Sequence, residues 1–223
     1  MIRLENIYKE YKLGKENIVA LNNVSVEFQE GKMYAIMGRS GSGKSTLVHI
    51  LGLLDNPTSG HIYLDNKDVT NLKEDKVQEI IGQNIGFVFQ KFYLNNNLTA
   101  LENVILPSLI NKKITKDERR KKAIKLLELV GLENRLNHKP KELSGGEAQR
   151  VAVARSLVNN PKIIIADEPT GNLDKTSELT IFKLLKEISK QDKIVIVVSH
   201  NELIKEYANK VYYLDDGVLK WFI

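Results

Sequence analysis

The sequence predicts an α/β protein with a largely parallel sheet and one mostly helical insertion. Three observations lead there. Short apolar runs of strand length alternate with amphipathic helical stretches, the order expected when helices cover a parallel sheet. A glycine-rich loop at 38–45 joins a strand to a helix. Between about 91 and 159 the strand-like runs vanish and helical periodicity takes over.

Taken in order, Ile18 to Phe28 and Lys32 to Met37 read as strands, and an apolar helix follows from about Lys44 to Leu54. Pro57-Thr58-Ser59-Gly60 is a turn signal, with strands on either side of the next connection at His61 to Leu64 and Ile85 to Phe89. Thr115 to Val130 is the clearest helix of the insertion. Thr115 and Glu118 have capping-box spacing, Ile124, Leu127 and Val130 form a stripe, and Gly131 suits the residue after the helix. Its basic residues (Lys116, Arg119, Arg120, Lys121, Lys122, Lys125) read as a solvated face. After Pro161 the α/β pattern returns. Ile163 to Ile165, Ile194 to Val198 and Val211 to Leu214 are strands, Ser177 to Ser189 is a helix, and Asp215-Asp216-Gly217 turns into Val218 to Lys220.

Composition removes several classes. The chain has no cysteine, so disulfide scaffolds, thiol catalysis and cysteine-based zinc sites are excluded. Four histidines make a dedicated histidine metal cluster a poor expectation. The start lacks a signal-peptide core, and no apolar run approaches the roughly twenty residues of a membrane span. A cytoplasmic location is the expectation. The net charge of +5 suits an anionic ligand or membrane surface no better than it suits an ordinary lysine-rich surface.

Gly38-Arg39-Ser40-Gly41-Ser42-Gly43-Lys44-Ser45 meets every fixed position of the phosphate-loop pattern G-x-x-x-x-G-K-[ST]. Glycines let successive N–H groups curl toward phosphate oxygens, and the following helix N-terminus adds a partial positive charge. Lys44 is expected to reach the β- and γ-phosphates, and Ser45 to offer its hydroxyl to Mg²⁺. Ile163-Ile164-Ile165-Ala166-Asp167-Glu168 is an apolar strand ending in two carboxylates. Asp167 suits the metal-holding position. Glu168, next along the strand, is expected to point to the other side and to accept a proton from, or orient, an attacking water. Leu143-Ser144-Gly145-Gly146-Glu147 opens a helical run. Ser144 and Glu147 have capping-box spacing, while two adjacent glycines make sense if a bulky anion approaches the backbone; the two readings are compatible.

The phosphate loop, the LSGGE segment and the IIIADEPT strand, in that order, resemble the nucleotide-binding subunit of ATP-binding-cassette (ABC) transporters, over essentially the whole chain. The resemblance implies a P-loop NTPase core of ABC ATPase type with N-terminal antiparallel β elements and a helical subdomain. The core would span 1–90 and 160–223, and the subdomain 91–159. It implies ATP and Mg²⁺ as the bound species. Nucleotide contacts would come from Tyr11, Gly38, Arg39, Ser40, Gly41, Ser42, Gly43, Lys44, Ser45 and Thr46. Others would come from Ser144, Gly145, Gly146, Glu147 and Asp174. Tyr11 resembles an aromatic that stacks on adenine, with a core tyrosine as the alternative. Gln90 resembles the glutamine that meets Mg²⁺ and water, giving Ser45, Gln90 and Asp167 as metal contacts. His200 resembles the histidine that contacts the γ-phosphate, giving Lys44, Gln90, Glu168 and His200 as the catalytic set.

Three departures stand out: Glu147 for the more common glutamine, Gly171-Asn172 for the common Ser-Ala, and Asn201 for aspartate, which can cap a helix as aspartate does. LSGGE with PTGNLD is similar to the branch holding macrolide and antimicrobial-peptide exporters, lipoprotein-releasing systems and the cell-division ATPase. The resemblance implies an ATP-dependent homodimer around two ATP, each site shared between chains. That dimer would energise a separate membrane permease from the inner face of the membrane. Export of peptides, lipoproteins or drugs is the leading expectation, and force transmission without cargo the alternative. A nucleic-acid partner is not expected, because the long coiled coils and tandem cassettes of DNA- and ribosome-acting relatives are missing.

Overall fold

The computed structural model describes residues 1–14, 16–111 and 113–221. Strands β1 (Ile2–Leu13) and β2 (Glu16–Phe28) pair antiparallel, Ile2 opposite Phe28 and Tyr11 opposite Ile18. Their alternation buries Ile2, Leu4 and Ile7 of one and Leu21, Val24, Val26 and Phe28 of the other. Strand β1 carries no clear strand signal in the sequence, because its few apolar residues stand among charged ones and lose their strict alternation at bulges after Leu4 and Ile7. Strand β3 (Lys32–Met37) leaves this sheet for another. Strands β4 (Ser59–Leu64) and β5 (Lys67–Asp68) complete a four-stranded antiparallel sheet in the order β2-β1-β4-β5.

The second sheet adds β6 (Ile85–Phe89), β7 (Ile163–Asp167), β8 (Ile194–Val198), β9 (Lys210–Asp215) and β10 (Val218–Trp221). Its order is β10-β9-β3-β8-β7-β6, parallel throughout except for the β10 hairpin. Both faces are buried, so its strands read as continuous apolar runs. Successive residues still part to opposite sides. Met33, Ala35, Ile164, Ala166, Val195 and Val197 join one core with helices α3 (Ala100–Ile105), α5 (Gly145–Leu157) and α6 (Lys175–Ser189). Tyr34, Ile36, Ile163, Ile165, Ile194 and Ile196 join the other with α1 (Lys44–Leu51) and the antiparallel sheet. Each such aliphatic side chain is worth about 1.5–3 kcal/mol of burial.

Helix α2 (Glu74–Asn84) was not anticipated; none of its residues is fully buried, so its apolar stripe is short. Helix α4 (Lys116–Leu129) starts where expected, with the Glu118 N–H donating to Thr115 Oγ1 at 3.3 Å and the Thr115 N–H to Glu118 Oε2 at 2.8 Å. Gly131 follows it at φ +70. Arg119 departs from the solvated face: it donates to the carbonyls of Ser108 and Asn111. Helix α1 stops at Leu51 rather than Leu54, and α6 starts two residues earlier than expected because Asp174 caps it, accepting from the N–H groups of Thr176 and Ser177.

Candidate functional site

The C-terminal ends of β3, β6, β7 and β8 open onto a cavity of about 850 Å³. The crevice at strand ends of an open α/β sheet is where such folds take ligands. Its floor is the loop between β3 and α1. Gly43 there has φ +100, and a Cβ at this position would lie 2.2 Å from the Ala20 carbonyl oxygen of β2. Only glycine satisfies both the left-handed backbone and that approach. Gly38, Arg39, Ser40, Gly41, Gly43, Lys44, Ser45 and Thr46 line the cavity. Ser42 does not: it is buried beneath the loop, where its N–H donates to the Arg39 carbonyl and its carbonyl accepts from the Gly217 N–H. The Lys44 ammonium donates to the carbonyls of Gly38 at 2.8 Å and Arg39 at 2.6 Å.

Asp167 and Glu168 both line the cavity, which corrects the expectation that strand alternation sends them apart. The strand ends at Asp167, and Glu168 stands in the left-handed region at φ +44, its N–H bonded to the Val198 carbonyl. Such a backbone in a non-glycine residue is held by its surroundings. Here the Glu168 carboxylate accepts from the Ser199 hydroxyl at 3.2 Å and stands 2.9 Å from Nδ1 of His200. The carboxylate accepts here, so Nδ1 of His200 is the donor in this contact and Nε2 takes no part in it. Burial pushes the Asp167 carboxyl above the usual carboxylate range, and the negative charge of Glu168 adds to the rise.

Gln90 follows β6 into the same cavity. Its amide and that of Asn172 exchange hydrogen bonds of 3.4 Å, each donating, one to a side chain and one to a carbonyl. A Cβ on Gly171 would fall 2.7 Å from Gln90 Nε2, so the unusual Gly171-Asn172 pair makes room for this side chain. Sequence reasoning missed the residue beneath them. Gln149 of α5 is fully buried, and its amide donates to the Phe89 carbonyl at 3.2 Å and the Pro169 carbonyl at 2.6 Å. It bridges the two strand ends that carry Gln90 and the carboxylate pair. The helix also carries Glu147, Arg150 and Arg155, so nothing in the sequence set Gln149 apart as the buried polar residue. Gln149→Met keeps the volume but leaves both carbonyls without this donor. It is expected to destabilise the fold by about 1–3 kcal/mol, read as a lower urea midpoint.

At the far wall, Tyr11 lines the cavity beside its strand partner Ile18. Its hydroxyl donates to Asp55 at 2.9 Å, and the Lys9 ammonium sits 4.9 Å from the ring centre. Tyr11, Ile18 and Val19 are exposed apolar side chains around this end. Ile18, Val19 and Ala20 were not foreseen as lining residues; their signal is apolar residues exposed on a two-sided strand. The core-tyrosine alternative for Tyr11 does not hold.

Ser144, Gly145, Gly146, Glu147 and Asp174 do not line this cavity. Ser144 and Gly145 border a separate cleft of about 330 Å³ with Phe92, Tyr93 and Leu143. The capping box is formed, with the Glu147 N–H donating to Ser144 Oγ at 3.2 Å and the Ser144 N–H to Glu147 Oε2 at 2.8 Å. The hydrogen bond from Arg135 and then that from the Ser144 N–H bring the Glu147 carboxyl down from 4.5 to about 2. The adjacent glycines have different reasons. A Cβ on Gly146 would lie 2.4 Å from Ser177 Oγ of α6, a packing requirement, whereas the nearest atom to one on Gly145 is 3.5 Å away. Asp174 is engaged as the α6 cap.

A phosphate loop facing a carboxylate pair is common to many nucleotide hydrolases, but the glycine-initiated α5, held apart from that loop by the same sheet, belongs to one class of them. The chain is a member of the ABC transporter family, whose model matches residues 21–171, and is an ATP-binding domain with ATP hydrolysis as its activity. Among its relatives is an uncharacterized ABC transporter ATP-binding protein of Methanocaldococcus jannaschii, MJ0796. That protein is 48% identical over 221 residues, covering 97% of this chain and 94% of its own length. The macrolide export ATP-binding/permease protein MacB of Chlorobaculum tepidum is 44% identical over 219 residues. That match takes in 98% of this chain and 33% of MacB, so the chain spans about a third of that protein. The solved dimeric structure of MJ0796 in a post-hydrolysis state, bound to ADP and Pi, superposes with a TM-score of 0.90 at 46% identity, covering 99% of this chain and 97% of that one. The structure of cbiO1 from Clostridium perfringens, part of the ABC transporter complex cbiONQ, gives 0.87 at 30% identity, covering 98% and 86%. Among the described residues no helix is long and apolar enough to cross a membrane.

Proposed function

We propose that two copies of this chain close around two ATP molecules and, by hydrolysing them, drive a membrane permease that exports a peptide, lipoprotein or drug. The observation that carries this reading is the separation of the phosphate loop from Ser144 and Gly145 within one chain. Each half-site is well formed and each lacks the other, as two chains packed head to tail would require. The dimeric MJ0796 structure and the similarity to a macrolide export protein support it.

In this reading residues 1–90 and 160–223 are the α/β core and 91–159 the helical subdomain. Tyr11 stacks on the adenine, its other face backed by Lys9. The 38–46 segment wraps the phosphates with backbone N–H groups, and Lys44 leaves the loop carbonyls for the β- and γ-phosphates. Ser45, Asp167 and Gln90 place a hydroxyl, a carboxylate and an amide oxygen in one cavity, the hard oxygen donors that suit Mg²⁺. When bound there, Mg²⁺ supplies charge neutralisation for the transferring phosphoryl group. Glu168 orients a water and takes its proton as the water oxygen bonds to the γ-phosphorus and the bond to the β-bridging oxygen breaks. His200 holds Glu168 through Nδ1 and presents its other nitrogen to the γ-phosphate. Across the dimer, Ser144, Gly145, Gly146 and Glu147 of one chain meet the nucleotide of the other, with Asp174 at the crossing between them.

The permease contact is read at a groove of about 530 Å³ beside β6, lined by Ile81, Phe87, Phe89, Leu106 and Ile110. Of these, Leu106 and Ile110 are exposed. Phe89 immediately precedes Gln90, so movement at the groove reaches the cavity through one residue. Location on the cytoplasmic face of the membrane follows from that contact. The absence of native cysteine gives a clean test. Leu106→Cys, labelled with a photo-crosslinker in native membranes, is expected to join a polytopic membrane protein, and Lys32→Cys, on a strand three places away from β6 across the sheet, is not. Equal labelling at both positions, or none, rejects the permease reading. The external part of the captured protein separates export from force transmission without cargo.

A further inference from the structure

Arg135 lies in a short turn (Glu133–Arg135) between α4 and α5, and its Nε donates to Glu147 Oε1 at 2.8 Å. Two other helices of the chain carry the same type of cap without this partner. At Thr99–Glu102 and Thr115–Glu118 the threonine N–H and hydroxyl both donate to the glutamate, and no ion pair to either glutamate is present among the described residues. In the α5 box the arginine takes one carboxylate oxygen and the Ser144 N–H the other. The guanidinium is still partly open, and the Glu147 side chain is the more buried of the pair.

The charge balance explains the difference. A helix N-terminus carries about half a positive charge, and a carboxylate in the first turn stabilises the helix but cancels that field for an arriving anion. For α3 and α4 nothing anionic need arrive. For α5, on the dimer reading above, the partner chain's ATP brings its γ-phosphate to this turn. We propose that Arg135 is a positioning and charge-balancing residue for that encounter. It neutralises Glu147 while leaving the capping box intact, so that the α5 terminus remains attractive to phosphate.

The proposal rests on the dimer reading, and the test separates the two. In a Glu168→Gln parent, sedimentation at increasing ATP gives the concentration at which half the protein is dimeric. Arg135→Gln is expected to raise that concentration about tenfold, and Arg135→Lys, which keeps the charge, less than about threefold. Adding Glu147→Gln to Arg135→Gln removes the uncompensated charge but keeps a capping residue, and is expected to restore dimerisation to within about threefold of the parent. A double variant as weak as Arg135→Gln alone overturns the proposal, as does an Arg135→Gln chain that dimerises like the parent. Equal weakening of nucleotide binding by the monomer, followed with a fluorescent ATP analogue, marks a general structural effect and overturns it too. A parent that stays monomeric with ATP removes the dimer reading and this proposal together, and does so before Arg135 is touched.

Discussion

Glu168→Gln is expected to lower steady-state ATP hydrolysis by about 10²–10⁴-fold while increasing the ATP-dependent dimer. The amide has the size of the carboxylate and can still accept from Ser199 and keep a bond to His200, so the geometry at φ +44 survives. What it loses is the capacity to take a proton. The contribution of a positioned general base is of the stated size, and its loss falls on turnover rather than on nucleotide binding. In the proposed dimer, blocked hydrolysis would leave the γ-phosphate contact across the interface in place, and the closed state would accumulate. The measurement is phosphate release alongside sedimentation with ATP. Full turnover in the variant removes Glu168 from the base role, and a variant found only as monomer counts against the shared-site dimer.

Lys44→Ala has a different expected signature: nucleotide affinity and turnover fall together, with kcat/KM down by about 10²–10³-fold and no ATP-dependent dimer. In the structure the Lys44 ammonium is held by two carbonyls of its own loop, so it can swing onto phosphate oxygens without disturbing the core. Removing it leaves the Gly38 and Arg39 carbonyls open to water, and the urea midpoint should change little. A Lys44→Ala chain that binds ATP like the parent sinks the proposed phosphate contact. Combining the two variants is informative: if Lys44 acts first by holding the phosphates, Glu168→Gln cannot restore the dimer.

The strands of the parallel sheet were legible because both of its faces are buried. Ile163 to Ile165 and Ile194 to Val198 are apolar without interruption, a pattern that water-facing segments do not sustain. The α4 helix was legible from its capping box and from Gly131, both local chemistry. Strand β1 was not, because bulges break its period of two, and α2 was not, because it buries no residue completely. The phosphate loop, the carboxylate pair and the capped α5 could all be read from residues close in sequence. Gln149 could not, since its role lies in two carbonyls that are 60 and 20 residues away.

The sequence by itself determined the class of protein, an ATP-binding domain with ATP hydrolysis as its activity, and offered the runs of residues proposed to cradle phosphate, hold a cation and move a proton. It could do so because each motif is a short run whose function depends on local backbone geometry. The tertiary structure decided three things that spacing cannot express. A left-handed turn at Glu168 puts both carboxylates in one cavity. Gly146 is a glycine because α6 passes within touching distance. The α5 terminus faces a different cleft from the phosphate loop, with Arg135 drawn from an earlier turn to balance Glu147. Each is a contact between segments distant along the chain, and such contacts exist only once packing has chosen which faces meet.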